Sequence, residues 1–289
     1  MKKSYAIIAQ KGGTGKTTTA VALAAGLVNR KQKVLLIDAD TQGNATFASN
    51  VDMEPGEIAL SGIMEKQKKL EDVVCGTEAG YDLIPFDKNM PFYGGTSSIK
   101  MSLAAIIEKV SNIYDYVVID CPPNIGAMTV QALEAVDEIV IPCKADAFSL
   151  DALKEIALSV RDARKKNRKL MIAGVLLNRV NPISNIAKVA VPDIKELSEM
   201  IGTRVFNTQI PMNVKLDEAH YARQPIFTYD KNASGAAAYN QFVTELTGEK
   251  EHGKIAITRR KVQGKRTGTG KSKGRTRSNN QKTGQTKKK

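Results

Sequence analysis

The sequence predicts an α/β protein with a doubly wound, mainly parallel β-sheet flanked by helices, and a basic C-terminal tail. Three observations predict this fold class. Short apolar runs alternate with helical patterns through residues 1–250, a glycine-rich loop joins the first run to the first helix, and the residues after about 250 are almost devoid of apolar side chains. Alternating strands and helices favour a parallel sheet with right-handed crossovers.

The strands are predicted from continuous apolar runs, which are typical of strands buried on both faces of a sheet. The predicted strands are residues 4–9, 33–38, 81–85, 114–120, 138–142, 170–178 and 205–210. Helices are predicted where apolar residues recur every three or four positions, as they do between Ala20 and Val28. The predicted helices are residues 17–29, 99–110, 150–166 and 233–247.

The charge is divided unevenly along the chain. The net charge is +13, with 43 Lys and Arg against 30 Asp and Glu. Residues 252–289 hold 14 of these cations and none of the acids, so residues 1–251 carry 29 basic and 30 acidic residues. We therefore expect a nearly neutral domain over residues 1–250 and a low-complexity basic tail over 251–289, which lacks the apolar content needed to fold.

The composition argues against several classes of protein. No apolar run approaches the roughly 20 residues of a membrane span, and the N-terminal apolar stretch is too short for a signal peptide. Cys75, Cys121 and Cys143 are widely spaced, and the only histidines are His220 and His252. A zinc site or a disulfide framework is therefore not expected. We expect instead that the three cysteines are reduced thiols in a cytoplasmic protein.

Residues 10–18, QKGGTGKTT, lie between the first predicted strand and the first predicted helix. A phosphate loop requires this context, because glycines let backbone N–H groups approach phosphate beside a helix N-terminus. We expect Lys16 to reach the β- and γ-phosphates and Thr17 to offer its hydroxyl to Mg²⁺. The predicted nucleotide contacts of the loop are Lys11, Gly12, Gly13, Thr14, Gly15, Lys16, Thr17 and Thr18.

Three carboxylates follow predicted strands. Asp38 and Asp40 end the second strand, and Asp120 follows the apolar residues 116–119. Ligands of open α/β sheets bind beyond the carboxyl ends of the strands, so these side chains are expected beside the loop. Asp120 fits a Walker B carboxylate that holds Mg²⁺. Asp38 or Asp40 can alternatively serve only as a helix cap.

The loop resembles the deviant Walker A motif of the ParA/MinD family. Gln10 replaces the usual first glycine, and Lys11 is the additional lysine of that motif. The resemblance implies a P-loop NTPase fold, Mg²⁺ and ATP as cofactors, and slow ATP hydrolysis. It also implies a homodimer with ATP sandwiched between the subunits, in which Lys11 acts on the partner's nucleotide together with the catalytic residues Lys16 and Asp40.

The resemblance extends over residues 3–247. Residues 38–46, DADTQGNAT, resemble the family's DxDPQGNAT motif with Thr41 in place of proline. This match implies that Asp40 positions or activates the attacking water. It also implies that Asp38 lies near the loop lysines or near the metal, whose other predicted ligands are Thr17 and Asp120.

Later segments resemble the family's adenine-binding region. Asn178 stands where relatives place an asparagine against adenine, although a strand-end turn is an equally good interpretation. Residues 210–219, IPMNVKLDEA, resemble IPRNVRLSEA, which implies that Pro211 borders the base. The first strand begins near residue 4, which predicts the short form of the family without an N-terminal DNA-binding domain.

The sequence departs from the family at its DNA-binding arginines. Where the family has an Arg-Thr pair, this chain has Ile183 and Ser184. Met212 replaces the first arginine of the family's PRNVR motif, and Lys215 keeps a positive charge at the second. Cations at 161–169 can compensate, or can simply form a solvated helix end. The tail can bind DNA backbone without reading sequence, or can only improve solubility. The predicted DNA contacts are Lys215, Arg259, Arg260, Lys261, Lys265 and Arg266.

The resemblance implies a DNA partition ATPase that is cytoplasmic and nucleoid-associated. Its expected partners are a second copy of the chain, nonspecific DNA and a ParB-like adaptor. Binding to a membrane is not expected. A MinD-like membrane switch is the alternative, but it needs an amphipathic C-terminal helix that the tail does not offer. An iron–sulfur reductase would need ligand cysteines that are not in place, and a polysaccharide tyrosine kinase would need tail tyrosines.

Overall fold

The computed structural model describes residues 1–54, 56–87, 99–146, 148–181 and 183–251. These residues form one sheet whose strands alternate with helices. The strands are β1 Lys3–Ile7, β2 Val34–Asp38, β3 Cys75–Gly76, β4 Asp82–Ile84, β5 Tyr116–Asp120, β6 Glu138–Cys143 and β7 Met171–Leu177. The helices are α1 Lys16–Val28, α2 Asn44–Ala48, α3 Leu60–Met64, α4 Leu70–Val73, α5 Leu103–Val110, α6 Ala127–Ala135, α7 Ser149–Ala163, α8 Asn185–Met200, α9 Val214–Tyr221, α10 Ile226–Tyr229 and α11 Ser234–Thr247.

The sheet has the strand order β3-β4-β2-β5-β1-β6-β7, and every pairing except β3 with β4 is parallel. Successive crossovers from β1 lead first toward β2 and β4, and later toward β6 and β7. The direction of winding therefore reverses beside β1. Open α/β sheets bind ligands at the carboxyl ends of the strands at this switch point, and the glycine loop begins there.

The sheet separates two hydrophobic layers. On one face α5, α6, α7 and α8 pack on alternate strand residues such as Ala6, Leu35 and Ile119. On the other face α1 and α11 pack on residues such as Ile7 and Leu36. Because consecutive strand residues point to opposite faces, both layers are apolar and the central strands read as continuous apolar runs. The predicted fold class is confirmed.

The predicted strand over residues 205–210 is wrong. This segment lies beside β7, where Val205 forms an isolated bridge with Val175 and the Ile210 N–H donates to the Leu177 carbonyl oxygen at 2.9 Å. Between them the backbone N–H groups of Asn207 and Thr208 donate to the carboxylate of Glu245 on α11, at 2.7 and 2.9 Å. Because a side chain takes these two donors, no continuous ladder with β7 forms.

Several boundaries also differ from the predictions. The helix expected over residues 99–110 begins at Leu103, where the Ser102 hydroxyl accepts from the Ala105 N–H and caps it. The helix expected over residues 150–166 ends at Ala163. The short helices α2, α3, α4, α9 and α10, and the two-residue strand β3, are too brief to show a sequence period.

Two further observations concern the periphery. Among the described helices, none combines the length and apolar character needed to cross a bilayer. The predicted DNA contacts Arg259, Arg260, Lys261, Lys265 and Arg266 lie outside the described residues.

Candidate functional site

The glycine loop turns from the end of β1 into the start of α1. Gly13 and Gly15 adopt positive φ angles of 68° and 87°, which residues with a Cβ rarely adopt. The helix begins directly afterwards at Lys16, so its first free backbone N–H groups point into the loop. The loop and the helix N-terminus together form a cradle for an anion.

Asn178 supports this loop from behind. Its side chain is buried at the end of β7, and its Nδ2 donates to the carbonyl oxygen of Thr14 at 3.0 Å. A Cβ built on Gly15 would overlap the Asn178 amide group. In this structure Asn178 therefore anchors the loop, and its contact with adenine stays a prediction.

Lys16 and Thr17 begin α1 and face the ends of β1 and β5. Lys16 is buried, and its Nζ lies 3.5 Å from the carbonyl oxygen of Lys11. The Thr17 hydroxyl donates to Asp120 Oδ2 at 2.7 Å. The structure thus brings together the lysine, the hydroxyl and the carboxylate that the sequence analysis assigned to phosphate and Mg²⁺.

Asp38 and Asp120 lie side by side, because they are register partners on the parallel strands β2 and β5. Asp38 Oδ2 accepts from the N–H and the hydroxyl of Thr46, both at 2.7 Å. Asp40 follows two residues later and accepts from the Gln42 N–H at 3.0 Å. Thr46 therefore ties α2 to Asp38, which sequence reasoning did not foresee.

Asp38 and Asp120 are buried next to each other, and neither forms an ion pair with a residue that the structure describes. Burial raises the pKa of Asp38 to about 6. Burial, and then the charge of Asp38, raises the pKa of Asp120 well above its usual range. Asp120 Oδ1 is buried and has no hydrogen-bond partner among the described residues. Such an arrangement is costly unless a cation compensates it.

This donor set fits Mg²⁺ bound together with a nucleotide. Mg²⁺ commonly uses one or two protein oxygens and takes its other ligands from water and phosphate. Thr17, Asp120 and Asp38 supply protein oxygens beside the phosphate cradle.

Lys11 does not join this group. Its Nζ contacts Asp146 Oδ2 at 3.2 Å and lies 4.3 Å from the centre of the Phe148 ring. Both partners belong to the segment after β6, and Phe148 is largely exposed. The additional lysine therefore lies at the outer edge of its own loop.

An open cleft of about 430 Å³ lies over the loop. It is lined by Gly12, Gly13, Gly15, Lys16, Thr17, Thr18, Asp40, Gln42, Asn44, Pro123, Arg179, Leu216, Asp217 and His220. Arg179, Asp217 and His220 were not foreseen, since no spacing in the sequence connects β7 with α9. Pro211 pairs with Val180 next to this rim, and Lys215 is occupied by Glu218 at 2.8 Å.

A glycine loop at a switch point, a helix N-terminus, a buried lysine and a hydroxyl–carboxylate pair define a P-loop nucleoside triphosphatase. The family model described as an AAA domain matches residues 2–172. The sporulation initiation inhibitor protein Soj of Bacillus subtilis (strain 168) is 35% identical over 254 residues, which cover 85% of this chain and 98% of that protein. The chromosome-partitioning ATPase Soj of Treponema pallidum (strain Nichols) is 31% identical, with coverages of 85% and 97%.

A solved structure of an ATP complex of Cyanothece McdA superposes with a TM-score of 0.74 at 25% identity, and covers 86% of this chain and 98% of that one. The chain therefore belongs to the ParA/Soj family of partition ATPases, and its cofactors are ATP and Mg²⁺. For that chemistry we propose that the cradle holds phosphate and that Lys16 places positive charge where negative charge gathers. Bound Mg²⁺ neutralises phosphate charge.

Proposed function

We propose that this partition ATPase works as a switch, in which ATP joins two copies of the chain into a dimer that binds DNA nonspecifically. A ParB-like adaptor then stimulates hydrolysis and releases the DNA, so the protein acts in the cytoplasm on the nucleoid. The relatives named for chromosome partitioning support this role. The observation that carries the proposal is the position of Lys11.

Lys11 belongs to the phosphate loop but does not line the cleft of its own subunit. It is held instead by one partly exposed ion pair and one exposed aromatic ring. Exposed ion pairs contribute less than about 1 kcal/mol, so these contacts can be exchanged at little cost. A phosphate group of a second subunit would offer Lys11 a stronger, charge-assisted partner.

Asp40 has the position expected of a residue that orients water. It lines the cleft, is buried, and is fixed by the Gln42 N–H. Lys16 is the residue that we expect to bind the negatively charged phosphates. We expect that Lys16→Ala abolishes the response to nucleotide, and that Asp40→Ala keeps ATP binding but blocks hydrolysis.

The DNA surface differs from the one that the family resemblance implies. Ile183 and Met212, the counterparts of two family arginine sites, are 83% and 63% exposed and carry no charge. Lys215 is paired with Glu218. These observations support a DNA contact made elsewhere on the body or by the basic tail.

The proposal is tested by DNA binding of the full chain with ATP, with ADP and without nucleotide. Wild type should bind best with ATP, Lys16→Ala should bind equally in all three states, and Asp40→Ala should remain bound after ATP is added. Lys68→Ala, an exposed substitution away from the cleft, serves as the control. Equal binding of wild type in all three states would refute the switch.

A further inference from the structure

Residues 161–169, RDARKKNRK, comprise the last three residues of α7 and the strongly basic connection that leads to β7. This segment is called here the basic turn. It holds six cations and one acid, Asp162. Because β7 begins at Met171, the basic turn lies at the amino edge of the sheet. The nucleotide cleft lies at the carboxyl edge, about 20 Å away along a seven-residue strand.

The basic turn is a fixed part of the body. Asn167 Nδ2 donates to the carbonyl oxygens of Leu133 and Val136 at 3.1 and 2.7 Å, which ties the turn to the end of α6. Arg164 Nε donates to the Leu170 carbonyl oxygen at 2.9 Å, and Leu170 itself is fully buried. The charged side chains are therefore presented from an ordered backbone.

Most of this charge is not neutralised. Lys165 pairs with Asp162, and Lys166 pairs with Glu134, but the two lysine side chains are 75% and 73% exposed. Such pairs contribute little and exchange readily with another anion. Arg161, Arg164, Arg168 and Lys169 are exposed and form no ion pair with any residue that the structure describes.

Helix capping does not account for this number of cations. Positive charge near the last turn of α7 interacts favourably with the helix dipole, and that effect fades within one turn. Arg161 lies in that turn, whereas Arg168 and Lys169 lie beyond it, next to the start of β7. Mutual repulsion in such a cluster is unfavourable without an anionic partner.

We propose that the basic turn binds the phosphate backbone of duplex DNA. This inference rests on the DNA-binding function proposed above and assigns part of it to the body. Clustered Lys and Arg side chains bind phosphates without reading sequence. An anionic membrane fits less well, because membrane-surface segments insert apolar side chains and the turn has only the buried Ala163.

The location of the basic turn has a consequence for the switch. A dimer closed over the nucleotide clefts would leave both turns facing outward, because they lie at the opposite edge of each sheet. Each monomer then offers one weak site, and the dimer offers two linked sites. ATP would strengthen binding through this added valence, without any change in the turn itself.

The test compares full-length variants by fluorescence anisotropy with a labelled random-sequence duplex across a series of salt concentrations. The first variant combines Arg161→Gln, Arg168→Gln and Lys169→Gln, whose side chains form no hydrogen bond within the described part of the chain. The matched control combines Lys66→Gln, Lys68→Gln and Lys69→Gln, which removes the same charge from exposed residues near α3 and α4.

We expect the turn variant to bind roughly tenfold more weakly or worse, and the slope of log K against log salt to lose about 3 units. The lysine control should change the slope much less. A turn variant with wild-type affinity and slope would overturn the proposal. The proposal would also be overturned if the turn variant kept its affinity for DNA but lost binding to vesicles that contain anionic lipid.

Two parallel measurements separate the possible failures. Thermal unfolding shows whether the turn variant is folded, and light scattering shows whether it still dimerises with ATP. If the dimer forms and the turn variant retains DNA, only the assignment to the basic turn fails. If wild type binds no DNA in any nucleotide state, the proposed DNA-binding function fails as well.

Discussion

At the scale of single residues, the phosphate loop depends on backbone shape as much as on its charged groups. Gly13 and Gly15 take conformations that disfavour a side chain, and Gly15 also leaves room for the Asn178 amide. Gly12 has neither constraint, since nothing lies within 4 Å of an added Cβ. The glycines of this motif are therefore required for different structural reasons, and Gly12 has neither of the two constraints.

Gly15→Ala should destabilise the nucleotide-free protein by about 2–5 kcal/mol. The left-handed conformation disfavours Ala, and the added Cβ displaces Asn178 from Thr14. Gly12→Ala is the matched control and should cost far less. Chemical denaturation measures both, and equal losses for the two variants would contradict the assigned role of Asn178.

Asp120→Asn should stabilise the nucleotide-free protein by about 1–3 kcal/mol, because a carboxyl buried beside Asp38 costs stability whether it stays ionised or takes up a proton. It should also reduce the extra stability that Mg²⁺ and ATP confer on wild type. Thermal unfolding with and without Mg-ATP measures both effects. Asp151→Asn, on an exposed surface, is the control. A less stable Asp120→Asn protein would contradict this account of the site.

At the scale of elements, contacts across the fold decide what local pattern cannot. Glu245 on α11 takes the backbone N–H groups of Asn207 and Thr208, and so prevents a strand beside β7. Burial raises the pKa of Glu245, but hydrogen bonds from Thr208 and Asn207 outweigh it and hold the pKa below its usual range. The carboxylate is therefore charged at neutral pH.

Glu245→Gln should destabilise the protein by about 1–3 kcal/mol at neutral pH, because it weakens these hydrogen bonds to a charged acceptor. A lowered folded-state pKa gives stability above the unfolded pKa, and that stability is lost as the pH falls through the folded value. The difference from wild type should therefore shrink below about pH 4. A difference independent of pH would contradict the role of the charged carboxylate.

The sequence was sufficient for the central strands and for the residues that follow them. Residues 33–38 and 114–120 are apolar runs that end in acids, and a parallel sheet brings such ends together. The sequence was not sufficient for contacts between distant segments. The bond from Thr46 to Asp38, the support of Gly15 by Asn178, and Arg179 and Asp217 at the cleft all depend on tertiary placement.

At the scale of the whole molecule, the functions proposed above divide between the two edges of the sheet. The carboxyl edge holds the phosphate cradle, the buried acids and the cleft. The amino edge carries the basic turn. We expect this division to let nucleotide binding and DNA binding be altered separately by mutation.

The central claim is that ATP joins two subunits through Lys11. Light scattering of the hydrolysis-blocked Asp40→Ala protein measures this directly, alongside a second protein that also carries Lys11→Ala. The account predicts that Asp40→Ala doubles its mass only with Mg-ATP, and that the double variant binds ATP but stays a monomer. A mass that does not respond to ATP, or a double variant that dimerises equally well, would contradict it.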